Sequence, residues 1–143
     1  MKQHVIEARV IAAAPRDTVW AVLADARSWH TWGPWDRAEL EREGHDVADG
    51  VGAIRVFTRR PITSREEVVA FEPPLRLAYR LLSGLPVREY RAEVRLTADG
   101  AATEIHWRSE FESGVPGMAA FIGRIVPRVA ADMAAEAQRR AAA

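Results

Sequence analysis

Ala14-Pro15-Arg16-Asp17-Thr18-Val19-Trp20, followed by Trp29-His30-Thr31-Trp32-Gly33-Pro34-Trp35, is the stretch on which the fold turns. An apolar strand, about Gln3 to Ala12 with its core at Val5 to Ile11, runs into it and ends before Pro15. Proline's fixed φ and missing amide suit the first turn of a helix. Val19, Trp20 and Leu23 then share one face of a helix predicted over Thr18–Ala24. A second short helix is expected from about Asp25, placed as its N-cap, to Thr31, and Gly33-Pro34 stops it. Trp29, Trp32 and Trp35 thus form an aromatic knot. We read it first as a plug for one end of the structure and second as a ligand contact.

Downstream the pattern changes to strands separated by turn residues. The segments are about Arg37–Glu43, Gly52–Arg59, Ile62–Glu72, Leu75–Ser83, Val87–Ala98 and Ala102–Glu112. Asp49-Gly50, Arg60-Pro61, Pro73-Pro74, Gly84-Leu85-Pro86 and Asp99-Gly100 divide them. Such short connections make neighbours antiparallel, a meander. In the last hairpin Tyr90, Ala92, Val94 and Leu96 alternate with polar residues, as do Ile105, Trp107, Ser109 and Phe111. A two-residue Asp99-Gly100 loop would pair Leu96 with Thr103, Val94 with Ile105, Ala92 with Trp107 and Tyr90 with Ser109. Both apolar sets then share a buried face. Outside, Arg95 would oppose Glu104 and Arg91 would oppose Arg108.

From Pro116 to about Arg140 the period becomes helical, with Met118, Phe121, Ile122, Ile125, Val129 and Met133 on one stripe. Pro127 removes the amide bond to Gly123, so a kink or break is expected there. The concave face of the sheet is the surface on which this stripe can lie.

At 143 residues with no internal repeat, the chain reads as one domain, residues 1–143, with enough surface to bury a core. Net charge is zero, so no global field attracts nucleic acid or an anionic membrane. Cysteine is absent, which excludes disulfides, thiolate catalysis and Cys-ligated zinc and fits a reducing cytoplasm. No secretory leader or membrane-length apolar run is present, so membrane insertion is not expected. Lys2 is the single lysine and asparagine is missing, which reads as the imprint of a GC-rich bacterial genome. His4, His30, His45 and His106 do not converge, and no spacing suggests a triad, a metal site or a cofactor. Arg59-Arg60 and Arg139-Arg140 read as solvated basic pairs.

The order strand, Ala-Pro-x-x-x-Val-Trp helix, Trp-rich second helix, meander containing Phe71-Glu72-Pro73-Pro74-Leu75-Arg76-Leu77-Ala78-Tyr79, and C-terminal helix resembles the polyketide cyclase/dehydrase branch of the START-like superfamily. The resemblance spans essentially the whole chain. It implies an α+β helix-grip fold: a curved antiparallel sheet of about seven strands around a long C-terminal helix, with a hydrophobic cavity between them. The superfamily includes aromatase/cyclases, lipid and hormone binders and chaperone-activating domains, so fold membership does not fix function.

The first functional expectation is binding of a hydrophobic, aromatic or polyketide-like small molecule, by a monomer or homodimer. The second is a cyclase/aromatase/dehydrase using pocket hydroxyls and an arginine. The third is a protein-interaction module. Candidate ligand contacts are Tyr79, Tyr90, Trp107, Ser109, Trp32, Arg88, Phe121 and Ile125. A buried phenol needs a partner, so Tyr90 and Ser109 either satisfy each other or face a ligand together. Trp107 is pocket wall or plain core. Arg88 continues the Tyr90 face and either reaches solvent or caps an anionic group. In the fourth strand either Arg65, Glu67, Val69 and Phe71 point inward, making a charged rim pair, or Ser64, Glu66, Val68 and Ala70 do.

Overall fold

Turn chemistry cuts the middle of the chain into strands, and hydrogen bonding assembles them in sequence order. The computed structural model describes residues 1–143. It places β1 at Lys2–Ala12, α1 at Arg16–Ala24, a 3₁₀ helix at Ala26–Thr31, β2 at Arg37–Arg42 and β3 at Ile54–Arg59. There follow β4 at Ile62–Glu72, β5 at Arg76–Ser83, β6 at Arg88–Asp99, β7 at Ala102–Ser113 and α2 at Met118–Ala141. The sheet order is β1-β7-β6-β5-β4-β3-β2. Every pairing is antiparallel. β2 to β7 form the meander, β1 closes on β7, and α2 packs against β1, β7 and α1. This is the α+β helix-grip fold.

Three expectations needed correction, each for a local reason. The β6–β7 turn is Gly100-Ala101, with Gly100 at φ 61, so Leu96 meets Ile105, Val94 meets Trp107 and Ala92 meets Ser109. This register differs from the expected one by two residues, which leaves the same side chains facing inward. It also sets Arg91 opposite Glu110 instead of Arg108, with an ion pair at 3.6 Å, and so removes a like-charge contact. In the 3₁₀ helix the Asp25 side chain makes no cap. Asp49 Oδ1 instead accepts the Ala26 amide at 3.3 Å. Finally, of the kink or break expected at Pro127 the break does not occur, and α2 continues as one helix to Ala141.

Bulges decide which side chains reach the interior. Val69 is unpaired between Val68 and Ala70. Before it Glu66 and Val68 face inward, and after it Phe71 does, edge-on to Trp20 with ring centroids 5.2 Å apart. Arg65 and Glu67 therefore lie on the wet face, where Arg65 binds Glu41 bidentately at 2.6 and 2.7 Å and Glu67 meets Arg42 and Arg80. A second bulge separates Arg88 from Arg91, with Glu89 at φ 53. It puts Arg88 opposite Glu112 on the outer face, exposed, so Arg88 and Tyr90 do not share a face.

Candidate ligand-binding site

Between the sheet and α2 lies a chamber of about 90 Å³. Tyr79 and Leu81 of β5, Tyr90 of β6 and Trp107 of β7 form one wall. Ile122, Val126 and Val129 of α2 form the opposite wall, because they lie on its buried stripe. Trp29 and Trp35 close one end. Trp29 is 2% exposed and stacks on Phe57 at 4.9 Å, while its indole N–H donates to the Val22 and Leu23 carbonyls at 3.2 Å each. Phe121, Ile125 and Leu85 border the other side and also line an adjoining throat of about 90 Å³ with Trp35, Phe57 and Ile62.

The candidates from the sequence divide accordingly. Tyr79, Tyr90, Trp107, Phe121 and Ile125 line the chamber. Ser109 is fully buried behind Tyr90 and accepts its hydroxyl at 2.9 Å. Trp32 lies outside, packed on Trp29 at 5.3 Å, and Arg88 is exposed on the opposite face. Of the aromatic knot, Trp29 and Trp35 touch the chamber.

The charged heart of the site is a pair that sequence reasoning missed. Arg55 of β3 is 1% exposed, and its Nη2 donates to Glu66 Oε1 of β4 at 2.6 Å. Its guanidinium lies 4.7 Å from the Trp29 ring centroid, 5.0 Å from Tyr79 and 5.2 Å from Phe57. A buried guanidinium whose Nε and Nη1 find no hydrogen-bond partner is thus held by aromatic faces. Glu66 is the one carboxylate lining the chamber. Hairpin arithmetic could have found this pair. A turn at Arg60-Pro61 pairs Arg59 with Ile62 and therefore Arg55 with Glu66, and Arg55 shares its strand face with Phe57.

Burial pushes the Glu66 carboxyl above its ordinary range, with Arg55 pulling the other way. Burial also raises both phenols: Tyr79 well above the ordinary value, and Tyr90 up to about 12. Tyr79 and Tyr90 are therefore neutral hydrogen-bonding groups at physiological pH, and Glu66 is the acidic side chain among the chamber's lining residues. No group of three or more acidic or histidine side chains is placed to hold a metal ion. No helix is long and apolar enough to cross a membrane.

Tyr90→Phe should strand the Ser109 hydroxyl and cost about 1–2 kcal/mol, with Ser109→Ala similar. The double variant should lose less than the sum of the two. A double-mutant cycle by urea denaturation checks this, and strict additivity would show that the bond carries no coupling.

Residues 3–143 match the family described as polyketide cyclase / dehydrase and lipid transport. The chain belongs to this family. Its fold recurs in solved structures of low sequence identity. The Zhui aromatase/cyclase from a Streptomyces species is 23% identical with a TM-score of 0.74, the match covering 97% of this chain and 96% of that one. Norcoclaurine synthase from Thalictrum flavum, solved with dopamine and hydroxybenzaldehyde, is 18% identical with a TM-score of 0.74 over 97% of this chain and 86% of that one. A START superfamily protein from Mycobacterium smegmatis is 12% identical with a TM-score of 0.76 over 97% of both chains. Among curated proteins, none matches the chain significantly. The family supports a ligand-binding or cyclase role.

Proposed function

We propose that this family member binds a small hydrophobic molecule, aromatic or polyketide-like, with its body in the chamber and a carbonyl or phenolic oxygen at Glu66, Tyr79 and Tyr90. One observation carries the reading: an apolar, aromatic-walled chamber holds a single buried carboxylate backed by Arg55. A core built for stability alone gains little from such a pair, since a buried ion pair is often no better than apolar packing. An apolar cavity of roughly 150 Å³ accepts benzene. Chamber and adjoining throat, about 90 Å³ each, together exceed that volume, and Leu85, Phe121 and Ile125, which line both, are the side chains a bound ring would displace. The absence of cysteine supports a reducing, cytoplasmic setting.

Native mass spectrometry of freshly purified protein should show a retained small molecule. Small phenols and aryl ketones should change tryptophan emission saturably, because Trp29, Trp35 and Trp107 line the chamber. No retained species together with no saturable response would overturn the reading.

A second reading is favoured by Glu66 itself. A carboxylate with a raised pKa beside two phenols suits removal of a proton from carbon next to a carbonyl, the enolate oxygen accepting a hydrogen bond from a phenol. Such enolisation is the first step a cyclase or dehydrase would need. Glu66→Gln should then abolish solvent-deuterium exchange into a bound aryl ketone while leaving its affinity within a few-fold. Exchange that persists unchanged would leave carriage as the function.

A further inference from the structure

The entrance to the chamber carries a charge pattern unlike the rest of the molecule. A groove of about 390 Å³ opens outside the throat, lined by Arg59, Arg60 and Ile62 from the β3–β4 hairpin and by Phe121, Arg124, Ile125 and Arg128 from α2. The four α2 residues follow a three- and four-residue spacing and so share one helix face. Phe121 and Ile125 also line both throat and chamber, and Arg59 and Ile62 line throat and groove, so the three spaces adjoin one another in a row.

On the sheet's outer face arginines meet carboxylates, as in Arg9–Glu104, Arg65–Glu41, Arg76–Glu93 and Arg108–Glu110. The groove breaks this habit. No acidic residue lines it, and no carboxylate pairs with Arg59, Arg60 or Arg124. Arg128 reaches Asp132 only at 3.8 Å, and the Asp36 carboxylate is engaged by the Arg60 backbone amide at 3.0 Å. In a chain of zero net charge, four guanidinium groups are thus gathered at the mouth of an apolar chamber. Guanidinium forks bind carboxylate and phosphate bidentately.

We propose that the ligand is an anionic amphiphile: its apolar body occupies chamber and throat, and its carboxylate or phosphate is held by Arg59, Arg60, Arg124 and Arg128. The inference rests on the chamber being the binding site and adds the chemical class of what enters it. The arginines set orientation as well as affinity, because the anion stays at the mouth and the opposite end of the molecule is delivered to Glu66.

The test compares ω-phenylhexanoate, ω-phenylhexyl phosphate and neutral ω-phenylhexanol by calorimetry at low and high salt. At low salt one or both anions should bind about tenfold tighter than the alcohol. Added salt should erode that advantage while leaving the alcohol unchanged. In Arg60→Gln/Arg124→Gln, at two arginines that line the groove and not the throat, the preference should fall severalfold with alcohol affinity intact. Both side chains are exposed and form no ion pair, so the variant should fold normally. Tighter binding of the carboxylate identifies acid-type ligands, and tighter binding of the phosphate identifies phosphorylated ones. Equal binding of all three, or a preference that survives the double substitution, overturns this inference and leaves the chamber reading standing. Binding of none overturns both.

Discussion

Trp29→Ala is expected to destabilise the fold by at least about 3–5 kcal/mol, the usual cost of emptying a buried aromatic site. Trp29 is nearly inaccessible and has neighbouring aromatic rings in Trp32, Trp35, Phe57 and Trp107, with centroids 4.9–6.1 Å away. Its N–H also ties the 3₁₀ helix to the carbonyls at the end of α1. The substitution therefore removes packing, two shared hydrogen bonds and the ring that lies against Arg55. Trp29→Phe should recover part of the loss by restoring ring contact without the N–H. Urea denaturation of both variants measures the difference. A Trp29→Ala cost near 1 kcal/mol, the average for a point substitution, would show that the knot is peripheral to the fold.

Arg55→Met should cost about 3–5 kcal/mol at neutral pH, because it leaves Glu66 buried without its countercharge. The dependence on pH identifies the cause. Burial already holds the Glu66 carboxyl above its ordinary value, and Arg55 opposes that shift. A carboxyl whose folded pKa exceeds its unfolded one contributes stability that is present below the unfolded value and lost as pH rises through the folded value. Removing Arg55 moves the folded value further up. The variant should therefore approach the parent in mild acid and fall progressively behind it toward neutral and alkaline pH. Adding Glu66→Gln should flatten that slope. A penalty equal at all pH values would mean that the lost aromatic contacts, and not the orphaned carboxylate, account for it.

The fold was legible because its signals are periodic and local. Pro15 starting a helix, Asp99-Gly100 near a hairpin tip and the Phe121–Met133 stripe each follow from short-range rules. The inward faces of β6 and β7 survived a two-residue error in register because side chains alternate with period two. The site was less legible because two bulges break that alternation. One turns Arg88 outward, and the other brings both Glu66 and Phe71 inward from a single strand. Arg55 was hidden for a different reason: a charged residue within Ile54-Arg55-Val56-Phe57 looks like the wet side of a strand until Glu66 is set across from it.

The pairing of β1 with β7 bears on how the molecule is made. Lys2 sits across from Ser113 and Ala12 across from Thr103, so the first strand synthesised waits for the last. The meander from β2 to β7 can form hairpin by hairpin as the chain emerges. The chamber cannot close until β7 and the helix that roofs it are free of the ribosome, because α2 rests on β1. Contacts between such distant segments slow folding. Until they form, the apolar inner face of the sheet is open to water. For this protein, completing the sheet and creating the binding site are the same late event.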